Sequence, residues 1–343
     1  MLGIALLTLA PGRMGGSEVY ARSLTAALSR HGSGDYLVAV PPDATDAAGG
    51  LPWVAGGARS TSSRPAAFTR AALTIRALGG AEAVHYPLTV PVPLTRRPHV
   101  VTLHDVLHLD LPGLVSRRVR AFRRLAYDLA ARRADRVIVP SAFVLERAVE
   151  RLGLDEERIR VVHHGVDHDL FHPDGDPRRP FLLYPARPWP HKNHALLCAA
   201  FELVRRDRPE LELVLTGGGH EALVLPTGAR SLGNVPVVEL AALYRRASAL
   251  VFPSRYEGFG SPVLEAMASG CPVAAAAGTA VEEIAGGAAV LFGLQSPEEV
   301  AEGISGALAD GASLSARGIE RARGFTWERA AVLHDEVYEE LSH

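Results

Sequence analysis

Cysteine is scarce in this chain, with two among 343 residues. Cys198 and Cys271 each lie inside an apolar segment and show no C-x-x-C spacing. That excludes a disulfide framework and a thiolate zinc site, and fits a reducing, cytoplasmic compartment. Excess charge is lacking too: the formal net charge is −2, which leaves no global basicity to attract nucleic acid. No apolar run reaches the ~20 residues of a membrane-spanning helix. Residues 2–10 are apolar, but no cation precedes them, so they read as a first buried strand rather than a leader. No repeat of fixed period is present. A G-x-S-x-G elbow is missing, which excludes the usual hydrolase nucleophile. The loop Pro11-Gly12-Arg13-Met14-Gly15-Gly16-Ser17 does not match G-x-G-x-x-G, and the second strand runs into Pro41-Pro42 without an acid. A nicotinamide dinucleotide site therefore lacks both of its signatures.

What is present is an ordinary globular balance, 48% apolar and 22% charged, at a length that suggests two domains. Strand patterns at residues 2–9, 36–40, 83–86, 100–103 and 136–139 alternate with helical patterns at 17–29, 116–133 and 142–152. Residues 41–65, rich in Ala, Gly, Ser and Pro, read as a loop. A second series begins near residue 180, with strands at 181–184, 212–215, 250–252 and 272–276 and later helices at 297–308 and 327–341. Alternation of this kind predicts an α/β protein: two doubly wound, Rossmann-like parallel-sheet domains, residues 1–173 and 174–325, joined at Pro173-Asp174-Gly175-Asp176-Pro177. Ligands of such sheets bind beyond the carboxyl ends of strands, and the default site is a cleft between the domains.

The most informative stretch is Glu257-Gly258-Phe259-Gly260-Ser261-Pro262-Val263-Leu264-Glu265. It follows an apolar strand and a Pro253-Ser254 breaker. Ser261 reads as an N-cap, Pro262 suits the first turn, and the helix is expected to stop at Gly270. Backbone amides from Gly258 to Val263 would then point out of a strand end and hold an anion. Glu265 lies one residue too far for a capping box, so another reason is needed for it. A phosphate cradle flanked by two hydroxyl acceptors suits a sugar nucleotide; a capped core helix with two solvated acids is the plain alternative.

Other loops fall on the same kind of edge. Arg187 and Lys192, in Ala186-Arg187-Pro188-Trp189-Pro190-His191-Lys192-Asn193, supply two cations to neutralise a leaving diphosphate. His104 and Asp105 end a strand of the first half, where His104 would contact a sugar hydroxyl and Asp105 would orient it or the acceptor. Gly15 and Gly16 form a second ligand turn, with Ser17 as cap. The cluster His163, His164, Asp167, His168, Asp169 and His172 contains an Asp-x-Asp, but no strand leads into it and no H-x-x-x-H spacing occurs, so no metal is expected. Along residues 116–133, Val119, Phe122, Ala126 and Leu129 form an apolar arc, with Arg117, Arg120 and Arg124 opposite. A solvated helix face is the plain reading; peripheral contact with an anionic membrane is the alternative.

Taken together, these residues make the chain resemble the retaining glycosyltransferases of family 4, which have the GT-B architecture. The resemblance spans nearly the whole chain. It rests on Gly15-Gly16, on His104, on Pro140-Ser141 before a helix, and on Gly165-Val166-Asp167 followed by Phe171. It rests further on Arg187 with Lys192-Asn193, on Glu257 and Glu265, on Gly270-Cys271-Pro272-Val273, on Glu283 and on Phe325-Thr326-Trp327-Glu328. It implies a last helix, residues 326–343, that crosses back to the first domain. It implies that Arg187 and Lys192 hold a donor diphosphate, and that Glu257 with the amides of Phe259, Gly260 and Ser261 holds the donor sugar and phosphate. Glu265 would bind ribose, and Gly217 with Gly233, Asn234 and Val235 would lie beside the base. Gly16 would approach the phosphates or the acceptor. The implied reaction is metal-independent, cofactor-free transfer of a hexosyl unit from a UDP- or GDP-hexose to a hydroxyl on a lipid-linked sugar, polysaccharide or natural-product aglycone. A GT-B sugar-nucleotide epimerase and a non-catalytic binder are the rivals. Ala186, His164 and Ala285-Gly286-Gly287 depart from the family pattern at positions that bear on donor preference.

Overall fold

The computed structural model describes residues 1–56, 78–175 and 177–341. Residues 57–65 of the expected loop and Asp176 of the expected linker lie outside the described residues. The chain forms two compact units, Met1–Gly165 with Trp327–His343, and Val166–Thr326. The first boundary falls ahead of the one expected after residue 173. Its cause is local: the Val166 amide donates to the Phe325 carbonyl at 3.1 Å, and Val166 and Phe171 are buried in the core of the second unit.

The first unit is a seven-stranded parallel sheet in the order β3-β2-β1-β4-β5-β6-β7. Its strands are β1 (Leu2–Ala5), β2 (Tyr36–Val40), β3 (Trp53–Ala55), β4 (Ala83–Tyr86), β5 (His99–Thr102), β6 (Arg136–Val139) and β7 (Ile159–Val161). Central strands are apolar on both faces because helices cover both. Two expectations fail here. β1 stops at Ala5 rather than residue 9, because the Leu9 amide turns back to the Leu6 carbonyl at 2.8 Å. Leu6, Leu7 and Leu9 are nonetheless buried, so their apolar run reports burial rather than extension. Within the expected loop at 41–65, Trp53–Ala55 pairs with β2 as an edge strand.

Helix Trp327–Glu339 packs in this same unit, sharing one core with helix Gly16–His31. A buried polar chain fastens it. His334 Nδ1 lies 2.6 Å from the Ala330 carbonyl, which can only accept, so Nδ1 carries the proton and Nε2 accepts from the Tyr20 hydroxyl at 2.7 Å. Tyr20 must then accept from Thr102 (2.9 Å), Thr102 from His85 Nε2 (2.8 Å), and His85 Nδ1 from the Tyr338 hydroxyl (2.9 Å). Every member is satisfied in one direction only. At the edge, Arg136 and Arg160 bind the Glu340 carboxylate at 2.5 and 2.8 Å, and these hydrogen bonds hold its pKa below the usual range.

The second unit is a six-stranded parallel sheet in the order β10-β9-β8-β11-β12-β13. Its strands are β8 (Arg179–Pro185), β9 (Glu212–Thr216), β10 (Ala229–Ser231), β11 (Ala247–Phe252), β12 (Val273–Ala276) and β13 (Val290–Phe292). The chain winds outward from β8 in one direction and from β11 in the other. Their adjacent carboxyl ends are the point where a doubly wound sheet opens a crevice for ligands.

Candidate functional site at the carboxyl edge of the second sheet

The loops after β8 and β11 carry the charged residues of that edge, Arg187 and Lys192 on the first and Glu257 on the second. After β8 the chain passes Arg187, stiffens through Pro188 and Pro190, and closes a 3-10 turn at Pro190–Lys192. Asn193 ends the turn in the left-handed region, φ 59°. The buried Tyr184 hydroxyl donates to the Lys192 carbonyl at 2.6 Å, fixing the turn from below. Ala186 is held from the other side. Its carbonyl accepts from His194 Nε2 (3.1 Å) and His220 Nε2 (2.8 Å), so both imidazoles carry their protons on Nε2. Burial lowers the His194 pKa to about 4. Gly217, at φ 107°, lets the end of β9 approach this loop: a Cβ there would sit 3.1 Å from Ala186 and Arg187 backbone atoms.

Glu257 follows β11. Its Oε1 lies 2.5 Å from Lys192 Nζ, with the two side chains only 12% and 13% exposed. The ammonium also lies 5.2 Å from the Phe252 ring centre. The Arg255 amide donates to the His191 carbonyl at 2.8 Å, tying the two loops together. Lys192 is the only lysine in the chain; every other cationic side chain of fixed charge is arginine. An ammonium is a compact point charge and a guanidinium a planar fork. Lysine at this one position, in a chain that otherwise uses arginine, sets it apart by composition. That signal is readable in the sequence without any alignment.

Ser261 does not cap the next helix. The helix is Ser261–Ala268 and its N-cap is Gly260, at φ 98°. The Gly260 carbonyl accepts from the Val263 amide at 2.9 Å, which places Ser261 and Pro262 in the first turn. Pro262 has no N–H and Val263 has spent its own, so the amides expected over 258–263 narrow. Those of Gly260 and Ser261 keep no acceptor among the described residues. A side chain at Gly260 would meet Val281 Cγ2 at 2.9 Å and would be strained at that φ. Phe259 is buried, its ring 6.3 Å from Phe325.

Glu265 has a partner that the sequence pattern did not disclose. The Tyr244 hydroxyl, from helix Val237–Arg246, donates to its Oε2 at 2.9 Å. Burial raises the Glu265 pKa from 4.5 to about 7, and the tyrosine hydrogen bond opposes that rise. A tyrosine on the buried face of an amphipathic helix needs a hydroxyl partner, and that was the available clue. With a raised folded-state pKa, this carboxyl contributes stability that is full below pH 4.5 and is lost as pH rises through 7. We expect Tyr244→Phe to cost about 1.5–3 kcal/mol at pH 8, where the hydrogen bond is to a charged group, and roughly 1 kcal/mol at pH 5. Urea midpoints at the two pH values check this; equal losses would deny the coupling.

Asn234 and Val235 follow β10. Asn234 Oδ1 accepts from the Gly218 amide at 2.8 Å, so its side chain shapes the turn after β9. Gly15, Gly16 and His104 belong to the first unit. Gly15 (φ 63°) is the N-cap position of helix Gly16–His31, whereas Ser17, the expected cap, donates its hydroxyl to the Met14 carbonyl at 3.2 Å. A Cβ at Gly16 would meet open space. His104 Nε2 lies 2.8 Å from the Pro87 carbonyl and so carries the proton, leaving Nδ1 as the acceptor; burial lowers its pKa. Asp105 does not orient it: that carboxylate takes Arg123 at 2.8 Å and the Leu107 amide at 3.0 Å. In the Asp-x-Asp stretch, Asp167 accepts from the Asp169 and Leu170 amides, and His164 packs against Tyr20 and Trp327. Among the described residues, no three His, Cys, Asp or Glu converge on a metal-sized point.

Two doubly wound parallel sheets of this order define the GT-B class of α/β proteins, and solved structures of that class share the fold. A sucrose-phosphate synthase from Thermosynechococcus elongatus superposes with TM-score 0.80 at 22% identity, over 99% of this chain and 98% of that one. Anabaena HepE, solved with UDP and glucose, superposes with TM-score 0.75 at 18% identity, over 99% of both chains. The model for Glycosyltransferase Family 4 matches residues 14–170, and the model for Glycosyl transferases group 1 matches residues 169–325. The chain belongs to the family-4-type glycosyltransferases. Among relatives, it is 33% identical over 175 residues to O-antigen chain mannosyltransferase B of Escherichia coli, covering 47% of this chain and 46% of that protein. It is 32% identical over 258 residues to a D-inositol 3-phosphate glycosyltransferase of Streptomyces scabiei, covering 65% and 58%. The chain spans about half the length of the curated relatives it matches.

Proposed function

We propose that the chain transfers a hexosyl unit from a nucleoside diphosphate sugar to an acceptor hydroxyl, with retention and without a metal. The observation that carries this reading is the shielded Lys192–Glu257 pair on the loops that leave the adjacent carboxyl ends of β8 and β11, with the open amides of Gly260 and Ser261 on the same β11 loop. Lys192, Arg187 and those amides, with that of Phe259, bind the donor diphosphate. Glu257 and the Gly258 turn accept from the sugar hydroxyls, and Glu265, steadied by Tyr244, takes the ribose. Gly217, Asn234 and Val235 flank the base through backbone and turn geometry. In the first unit, His104 contacts a sugar hydroxyl through Nδ1, and Gly15-Gly16 meets a phosphate or the acceptor.

In the reaction, the bond between the anomeric carbon and the diphosphate oxygen breaks, and a bond to the acceptor oxygen forms on the same face. Negative charge grows on the leaving diphosphate, where Lys192, Arg187 and the amides stabilise it most strongly. The acceptor proton passes to the leaving phosphate oxygen, so no second carboxylate is required. A mannosyltransferase among the relatives and a structural neighbour solved with UDP and glucose support a hexose donor.

The single lysine makes the reading testable. Reductive methylation with 13C-formaldehyde tags only Lys192 and the Met1 α-amine. We expect UDP- or GDP-hexose to shift the Lys192 methyl resonance saturably, and donor to be consumed only when an acceptor is present. An unmoved resonance across the donor panel would overturn the site. Turnover of donor alone would favour epimerisation.

A further inference from the structure

The chain has three tryptophans. Trp53 lies on an edge strand, and Trp327 packs against His164. Trp189 stands between Arg187 and Lys192, the two cations proposed to hold the donor diphosphate, and is 44% exposed. Its backbone is fixed on both sides. The amide donates to the Arg187 carbonyl at 2.7 Å, and the carbonyl accepts from the Lys192 amide at 2.8 Å. Pro188 and Pro190 flank it and hold their own φ near −65°. Trp189 itself is extended, φ −74° and ψ 147°, the conformation favoured before a proline. An indole turns about two side-chain torsions only, so covering it with a ligand loses little entropy.

Two contacts say which side of the loop the indole serves. Pro188, not Trp189, meets the turn after β9: a Cβ at Gly219 would lie 3.4 Å from Pro188 Cδ. The ring beside Trp189 is His191, with centres 5.7 Å apart and planes tilted by 34°. The His191 carbonyl accepts from the Arg255 amide, two residues before Glu257. The indole therefore belongs with the Lys192–Glu257 pair, at the sugar end of the proposed donor, and not with the turns assigned to its base. A single exposed apolar side chain is ordinary. A large flat one, held rigidly between two phosphate-binding cations, is a platform. One face of a hexopyranose is lined by C–H hydrogens of slight positive charge, and the face of an aromatic ring is negative. The hydroxyls around the rim of such a sugar stay free for carboxylates. We propose that Trp189 is a specificity residue on which the C–H face of a hexopyranose ring lies, with His191 extending the aromatic surface. That sugar is the donor's hexose or an acceptor saccharide that meets it; the chemistry is the same and the test separates the two. The proposal rests on the transfer reading for its choice of ligand, but is read at a different atom.

The test uses the full chain with 15N-labelled tryptophan, whose three indole N–H signals are assigned by the loss of one in Trp189→Phe. UDP, GDP, UDP-glucose and GDP-mannose are titrated first. Methyl α-glucopyranoside and methyl α-mannopyranoside follow, alone and over saturating UDP or GDP. If the donor supplies the sugar, the Trp189 signal moves with UDP-glucose or GDP-mannose and much less with UDP or GDP. If the acceptor supplies it, the signal moves when a pyranoside is added. Trp189→Ala should weaken that sugar-dependent step roughly 10-fold, and Trp189→Tyr should recover most of it. Nucleoside diphosphate affinity, read at the Lys192 methyl, should stay as in the parent, which also shows that the variants fold. A Trp189 signal that moves equally with UDP and UDP-glucose and ignores the pyranosides would overturn the assignment and give the indole to the base or phosphates. A signal unmoved by every addition would overturn it too. A moving Lys192 methyl beside an unmoved indole would sink the platform and leave the transfer reading standing. A pyranoside response at Trp189 with no nucleotide response at Lys192 would do the reverse.

Discussion

Lys192→Ala is expected to lower turnover by on the order of 10²–10³-fold, the usual effect of removing one group that stabilises charge developing in a transition state. The loss should appear in kcat as well as kcat/KM, because the leaving diphosphate carries more charge in the transition state than in the bound donor. Lys192→Arg should not restore it. The ammonium sits 2.5 Å from Glu257 and close to the Phe252 ring, in a space set by the Pro190–Lys192 turn. A longer planar fork cannot place its charge at the same point. Glu257→Ala should be comparably damaging, and the double variant should be far from additive, since each single change leaves a shielded charge without its partner. Steady-state kinetics of the four variants against the parent decide the matter. Turnover of Lys192→Ala within a few-fold of the parent would end the assignment, and additive losses would deny that the pair acts as a unit.

The second large effect concerns the joint of the first unit. Tyr20→Phe removes the hydroxyl that accepts from Thr102 and donates to His334, and so strands a donor and an acceptor in a buried place. The expected cost is about 2–5 kcal/mol. The same chain of hydrogen bonds requires both imidazoles to be neutral. Burial lowers the His334 pKa from 6.5 to about 4 and holds His85 well below 6.5, with His104 and His164 close enough to oppose a second positive charge. For a histidine with a depressed folded-state pKa, the stabilising contribution is full above the unfolded value of 6.5 and is lost as pH falls through about 4. His334 alone should cost about 2–3 kcal/mol between neutral pH and pH 4.5. Glu265 in the second unit titrates in the opposite sense, so the wild-type profile mixes the two. Urea unfolding of His334→Gln against the parent isolates the imidazole: the difference between them should shrink as pH falls. A pH-independent difference would show that the histidine is not held neutral.

Much of this was open to reading from the residues. The strands at 36–40, 83–86 and 136–139 stand at the expected positions because their apolar runs are short, β-rich and buried on both faces. Trp53–Ala55 was missed because a three-residue edge strand carries no periodicity, and its flanking Gly and Pro speak for a loop. Ser261 was misplaced by one position for a similar reason. Composition favours serine as a cap, but the left-handed turn at Gly260 lets that residue's carbonyl start the helix. Residues 166–173 read as part of the first domain because they precede the proline-rich joint. Their side chains are buried with the other unit, which no local pattern reports.

The covalent order alone dictated the alternation of strands and helices, and therefore which loops leave carboxyl ends: Arg187 and Lys192 after one strand, Glu257 after another, His104 in the other half. That much follows because side-chain periodicity and turn chemistry are local properties. Strand order decided that Lys192 and Glu257, 65 residues apart, should touch, and helix docking decided that Tyr244 should meet Glu265 and that Tyr20 should meet His334 across 314 positions. Three-dimensional packing also left Val119, Phe122, Leu125 and Leu129 exposed and put Ala130 and Ala131 on the buried side, because an amphipathic pattern says that a helix has two faces and only its neighbours determine which one they cover.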